Sequence, residues 1–91
     1  MEYIDIVWHH NNSNDPIRLV SELDENRYEL RKLEFYKSGN VGFASENKSN
    51  LNTMLGEKPV PSLQEIITQE EFSGKSISEN EFEQLWCLRT Q

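Results

Sequence analysis

SELDENRYELRKLEFYKSGNVGFAS, residues Ser21–Ser45, is the stretch whose reading decides the fold. It combines a hairpin signal with a local excess of basic residues, in a chain of net charge −7. Within RYELRKLEFYK, Tyr28 and Leu30 share one parity while Leu33 and Phe35 share the other. A regular strand would send these pairs to opposite faces of a sheet. A bulge near Arg31-Lys32 brings them back to one face. The alternative is a helical turn at 24–33, because Glu, Leu, Arg and Lys are good helix formers. The bulged strand is preferred because the segment runs straight into a tight turn at Ser38-Gly39-Asn40, where Gly and Asn tolerate positive φ. Val41 and Phe43 then alternate inward on the returning strand.

N-terminal to this stretch, two further strands are expected. In residues 3–9, Ile4, Ile6 and Trp8 share one face by period two, opposite Tyr3, Asp5, Val7 and His9. The polar run Asn11–Pro16 is a loop. Residues 17–23 place Ile17, Leu19 and Leu23 on one side and Arg18, Val20 and Glu22 on the other. Asp24-Glu25-Asn26 reads as a turn. C-terminal to the hairpin, residues 46–58 lack periodicity and read as a long surface loop, with Leu51, Met54 and Leu55 as candidate anchors.

Two capping boxes mark two helix starts. Ser62 precedes Glu65, and Ser78 precedes Glu81, each at the spacing that lets hydroxyl and carboxylate trade bonds with backbone amides. The expected helices cover about 62–71 and 79–89, the second stapled by Ile77 and Phe82. The predicted architecture is therefore α+β: one domain over 1–91, a four-stranded antiparallel meander with one face covered by two C-terminal helices. Trp8, Leu19, Phe35, Phe43, Ile66, Phe82 and Trp86 are expected to meet in one core.

Composition narrows the class further. The single cysteine, Cys87, rules out a disulfide scaffold and reads as a small buried hydrophobe rather than a nucleophile. No apolar run approaches the ~20 residues that cross a membrane, and MEYIDIVWHH lacks a basic leader, so a cytoplasmic protein with no membrane role is expected. Charge is uneven: residues 1–26 carry net −5, residues 27–56 net +2 and residues 57–91 net −4. That balance disfavours direct nucleic-acid binding, which needs clustered Lys and Arg. It suits a basic protein partner, since complementary potentials speed association.

The chemistry-bearing residues are few. His9 and His10 are adjacent on a strand end, so they point to opposite faces and cannot share a metal without a bend. The carboxylates near 22–34 are too dispersed to nominate an acid–base pair. Gly39-Asn40-Val41-Gly42 lacks the context of a phosphate loop. No metal or cofactor is expected. Arg27, Arg31, Lys32 and Lys37 form the basic set. They either hold an anion through bidentate forks or pair across strands with Glu22, Glu29 and Glu34, and the interleaving in RYELRKLE favours the pairing.

SELD, RYELRKLEFY, GNVGFAS, LGEKPVPSLQEI and ISENEFEQLW together resemble a family of small, uncharacterised bacterial single-domain proteins, from Trp8 to Trp86. The resemblance implies a stand-alone domain of unknown function and supplies no catalytic residues. The residues themselves support three readings. The preferred one is a non-catalytic binding protein, such as an immunity or antitoxin-like inhibitor of a basic bacterial toxin. The second is a nucleotide or small-ligand binder using Arg27, Arg31 and Lys32, with Trp8, His9 or Tyr36 stacking on a base. The third is a small hydrolase or nuclease using His9 or His10 as acid–base group.

Overall fold

Four consecutive residues, Tyr3-Ile4-Asp5-Ile6, are buried, with 2–7% of their surface exposed. A strand achieves this only when both faces of its sheet are covered. These residues sit in β1 (Glu2–Trp8). The computed structural model describes residues 1–90. β1 is followed by β2 (Arg18–Leu23), β3 (Glu29–Phe35), β4 (Val41–Ser45), α1 (Leu63–Ile67), β5 (Phe72–Ser76) and α2 (Glu79–Trp86), with a 3-10 turn at Cys87–Thr90. The fold is α+β: two small helices and an antiparallel sheet of five strands in the order β4-β3-β2-β1-β5.

The expected meander forms β1 to β4, and β5 adds a strand the sequence did not signal. Phe72-Ser73-Gly74-Lys75-Ser76 has no apolar alternation. It becomes a strand because β1 needs a second partner, and the ladder extends past it through Ile77 N–H to Tyr3 O (2.9 Å) and His9 N–H to Glu71 O (2.7 Å). Gly74 lets the strand pass close to the second-face side chains, since a Cβ would lie 2.5 Å from Ile6 Cδ1 and 3.0 Å from Leu63 Cδ1 and those ends would have to shift. The same strand shortens the first helix, which spans Leu63–Ile67 rather than 62–71. Both capping serines act as expected: Ser62 Oγ accepts from Glu65 N, and Ser78 with Glu81 completes a reciprocal box.

The helices lie on opposite faces of the sheet, not on one. On the first face, Tyr3, Val20 and Leu33 pack against Phe82 of α2, with Phe35, Phe43, Ile77 and Trp86 around them. On the second, Ile4, Ile6 and Leu23 pack against Leu63 and Ile66 of α1, with Leu19, Val60 and Phe72. The seven residues expected in one core therefore divide, Trp8, Leu19 and Ile66 being separated by the sheet from Phe35, Phe43, Phe82 and Trp86.

The bulge exists and sits one residue earlier than expected. Arg31 pairs with Glu22 and Glu29 with Leu23, leaving Leu30 unpaired. The helical turn at 24–33 is not adopted. The extra residue brings Glu29 and Lys32, three apart, to the second face, while Arg31 turns to the first with Leu33. Tyr28, expected inward, is instead 42% exposed.

Of the three apolar anchors expected in residues 46–58, Leu55 is half-buried and the other two are exposed. Leu51 and Met54 are 50% and 72% exposed. The anchors are polar. The Asn50 side chain accepts from Phe43 N (2.6 Å) and donates to Val41 O (3.3 Å), closing the outer edge of β4. Thr53 is buried and donates to Glu34, while Lys32 Nζ donates to Met54 O at 2.9 Å and Glu29 accepts from Gly56 N at 2.6 Å. The loop thus crosses the second face over β3, and α1 covers the remainder.

Candidate functional site

Arg31 is the residue around which the first face is wired. Its guanidinium forks onto Glu22 (2.7 and 2.9 Å) and reaches Glu83 of α2 (2.5 and 3.2 Å). Its central carbon lies 4.8 Å from the Phe82 ring centre and 5.0 Å from that of Trp86, a cation–π stack. The hydrogen bonds to Glu22 and then Glu83 raise the Arg31 pKa, and the Arg31 bonds hold the Glu22 carboxyl below its ordinary value against the opposing effect of burial. Tyr3 donates to Glu79 at 3.2 Å, and burial, then Glu22, pushes its hydroxyl pKa up to about 12.

The other basic candidates go elsewhere. Lys32 lies on the opposite face, 3.3 Å from Glu29 and 3.8 Å from Glu34. Arg27 sits in the turn before β3 with φ +67, donates to Val60 O (2.9 Å) and Pro61 O (2.8 Å), and pairs with Glu2. It is a clasp holding the approach to α1. The structure does not bring Arg27, Arg31 and Lys32 together. It makes the cross-strand pair of Arg31 with Glu22 that interleaving favoured, while Lys32 pairs with Glu29 and Glu34 along its own strand, β3.

Trp8 and His9 occupy the far end of β1 from Glu2 and Arg27, about 20 Å away at ~3.3 Å per residue. Trp8 Nε1 donates to Glu71 at 3.1 Å, and His9 Nε2 shares a hydrogen bond with Ser73 Oγ at 2.8 Å. His10 turns the other way, onto Pro16 O at 2.7 Å, so the two histidines diverge as expected. Among the described residues, no third group is hydrogen-bonded to the His9 ring to orient it, so the exposed His9–Ser73 bond lacks the third member of a nucleophilic triad. Cys87 is exposed at the end of α2 rather than buried. Among the described residues, no three His, Cys, Asp or Glu side chains form a group that could hold a metal, and no helix is long and apolar enough to cross a membrane.

What the bulge does create is a groove. An open space of about 620 Å³ wraps the end of the sheet, walled by Glu22, Glu29, Leu30, Arg31, Ser45, Glu46, Asn47 and Leu55. Arg31, on the first face, is held by Glu22 and Glu83, and Glu29, on the second, by Lys32, so Glu46 is the wall carboxylate without a partner among the described residues. Leu30 and Leu55 supply apolar surface between them. Sequence reasoning placed Arg31 here but missed Glu46 and Asn47, whose approach depends on the β3–β4 register (Arg31 opposite Ser45).

Residues 2–91 match the family described as Domain of unknown function (DUF6881), and the chain belongs to that family. No curated protein and no solved structure matches the chain.

Proposed function

We propose that this chain is a non-catalytic binding protein whose acidic groove at the β3 bulge receives a basic side chain of a protein partner, in the manner of an immunity or antitoxin-like inhibitor of a basic bacterial toxin such as a nuclease. The observation that carries this reading is the fate of the cations. Arg18, Arg27, Arg31 and Lys32 are each paired with a carboxylate, so these four cations do not offset the acidic surface of a chain of net charge −7. In the groove, Glu22 is matched by Arg31 and Glu29 by Lys32, and the exposed Glu46 adds a carboxylate with no cation against it among the described residues. Such an arrangement steers a cationic partner and repels an anionic one. The nucleotide reading lacks the convergent basic site it needs.

The test is capture of a basic protein from the source cell on the immobilised chain at low salt. Glu46→Lys reverses one wall of the groove at an exposed residue that makes no hydrogen bond or ion pair with the described residues. Retention should fall with salt and fall further with this variant. Equal retention by the variant, or retention indifferent to salt, would remove the groove from the interaction.

A further inference from the structure

The second face of the sheet is covered by two unlike pieces, and they leave a seam. The loop over β3 is held by polar bonds from Glu29, Lys32 and Glu34. The cover over β1 and β5 is α1, which is five residues long and contains no buried residue. Between them, above β2, lies a concave space of about 270 Å³. Its apolar walls are Ile4, Ile6, Leu19, Val60, Ile66 and Phe72; Gln69 also lines it, and at its β2–β3 end Ser21 donates to Glu29 Oε2 at 3.2 Å. Ser21 is 5% exposed and the Glu29 side chain 9%.

We propose that this seam binds a small apolar molecule carrying a cationic amine. The charge at its polar end sets the sign. Lys32 lies 3.3 Å from Glu29 and 3.8 Å from Glu34, so two carboxylates share one ammonium and the cluster retains one negative charge. Glu29 is the charged residue of that cluster that lines the seam, so an amine entering here would meet net negative charge, whereas a carboxylate would meet a like charge in a poorly solvated setting. The apolar walls call for a hydrocarbon or aromatic body. The volume, just under the range of about 300–1,000 Å³ that suits drug-sized ligands, admits an arylalkylamine and not a nucleotide. Glu29 also walls the acidic groove, but the seam opens on the α1 side and its recognition does not depend on a protein partner.

The probe is 2-phenylethylamine, with phenylacetate and 2-phenylethanol as charge controls, followed through isoleucine methyl NMR. Ile4, Ile6 and Ile66 line the seam; Ile17 and Ile77 do not and serve as internal references. The amine should shift the first three saturably at millimolar concentration and leave the other two in place. It should bind about tenfold more tightly than the alcohol, a difference near 1.4 kcal/mol. Glu29→Gln retains a carbonyl acceptor and should erase that preference. Ile66→Phe fills the seam from α1 and should abolish the shifts with every probe, which keeps the test decisive if the Glu29 variant fails to fold. The absence of saturable shifts, binding of phenylacetate equal to that of the amine, or shifts undiminished in Ile66→Phe would overturn the proposal. Loss of amine binding with Glu46→Lys still defective in partner capture would separate this site's failure from that of the docking groove.

Discussion

Arg31 illustrates why a charged residue at a conspicuous position can be structural. Its side chain is 22% exposed and its partner Glu22 10%, so the pair is largely desolvated. Arg31→Leu preserves contact with Phe82 and Trp86 but strands Glu22 without its cation. The expected cost is about 3 kcal/mol in urea unfolding, and replacing Glu22 by Leu as well should recover most of it. A double variant no more stable than the single would show that the pair itself, not the stranded carboxylate, carries the energy. The same residues set two pH limits. The folded-state pKa of Glu22 is depressed, so its contribution is fully present above the unfolded value near 4.5 and disappears as pH falls through the folded value. The Tyr3 hydroxyl behaves oppositely. Its folded pKa is raised from 10.0 to about 12, so its contribution is full below pH 10 and is lost as pH rises towards 12. In melts across pH, Tyr3→Phe should flatten the alkaline limb and, because the Tyr3 hydroxyl also helps to depress the Glu22 carboxyl, soften the acid limb to a smaller extent.

The elements differ in how much of their cause is local. Both serine N-caps, the reciprocal Ser78–Glu81 box and the turn at Gly39 (φ +98) were readable because the bonds that define them span a few residues. The bulge was readable to within one residue, since a parity slip inside a strand such as RYELRKLEF demands an extra residue somewhere in its ladder. β5 was not readable: its residues carry no strand pattern, and their conformation is imposed by the unpaired edge of β1. The placement of the helices on both faces was hidden for a related reason. Tyr3 and Asp5 look like the outward half of a one-sided strand until Phe82 is seen over Tyr3 and Arg18 is seen bonded to Asp5 at 2.7 and 2.9 Å. The acidic groove was half visible, Arg31 and Glu22 belonging to the quoted stretch while Glu46 arrives through the β3–β4 register. The loop after β4 gives the clearest element-scale prediction. Asn50 replaces a neighbouring strand by bonding Phe43 N and Val41 O. Asn50→Ala should cost about 1 kcal/mol, because water can take over an exposed edge. It should also speed hydrogen exchange at the Phe43 amide and promote association through the opened edge. Unchanged protection at Phe43 would mean that the loop backbone, not the Asn50 side chain, closes the edge.

At the scale of the molecule, one sheet carries two half-cores, and the question is whether they melt together. The face under α2 holds Phe82, fully buried between Tyr3 at 5.3 Å and Trp86 at 6.0 Å between ring centres. The face under α1 is more thinly covered, yet Ile4 and Ile6 are only 2% and 5% exposed. Neither half-core can lose its packing alone without exposing the other side of β1 and β2, which both share. Cooperative, all-or-none unfolding is therefore expected. The two tryptophans make this measurable, since Trp8 lies on the α1 face beside Phe72 and Trp86 on the α2 face against Phe43. With Trp86→Phe the remaining fluorescence reports one face, and with Trp8→Phe the other. Each fluorescence transition should coincide with that variant's own far-UV circular dichroism transition. Phe82→Ala, made in each background, should cost about 3–5 kcal/mol and shift the Trp8 signal as far as the Trp86 signal, although Phe82 touches only one face. Ile6→Ala, from the opposite side, should cost about 2–5 kcal/mol and do the same. If Phe82→Ala displaced the Trp86 transition alone, the sheet would not be coupling its faces, and the short α1 layer would be a separately melting unit.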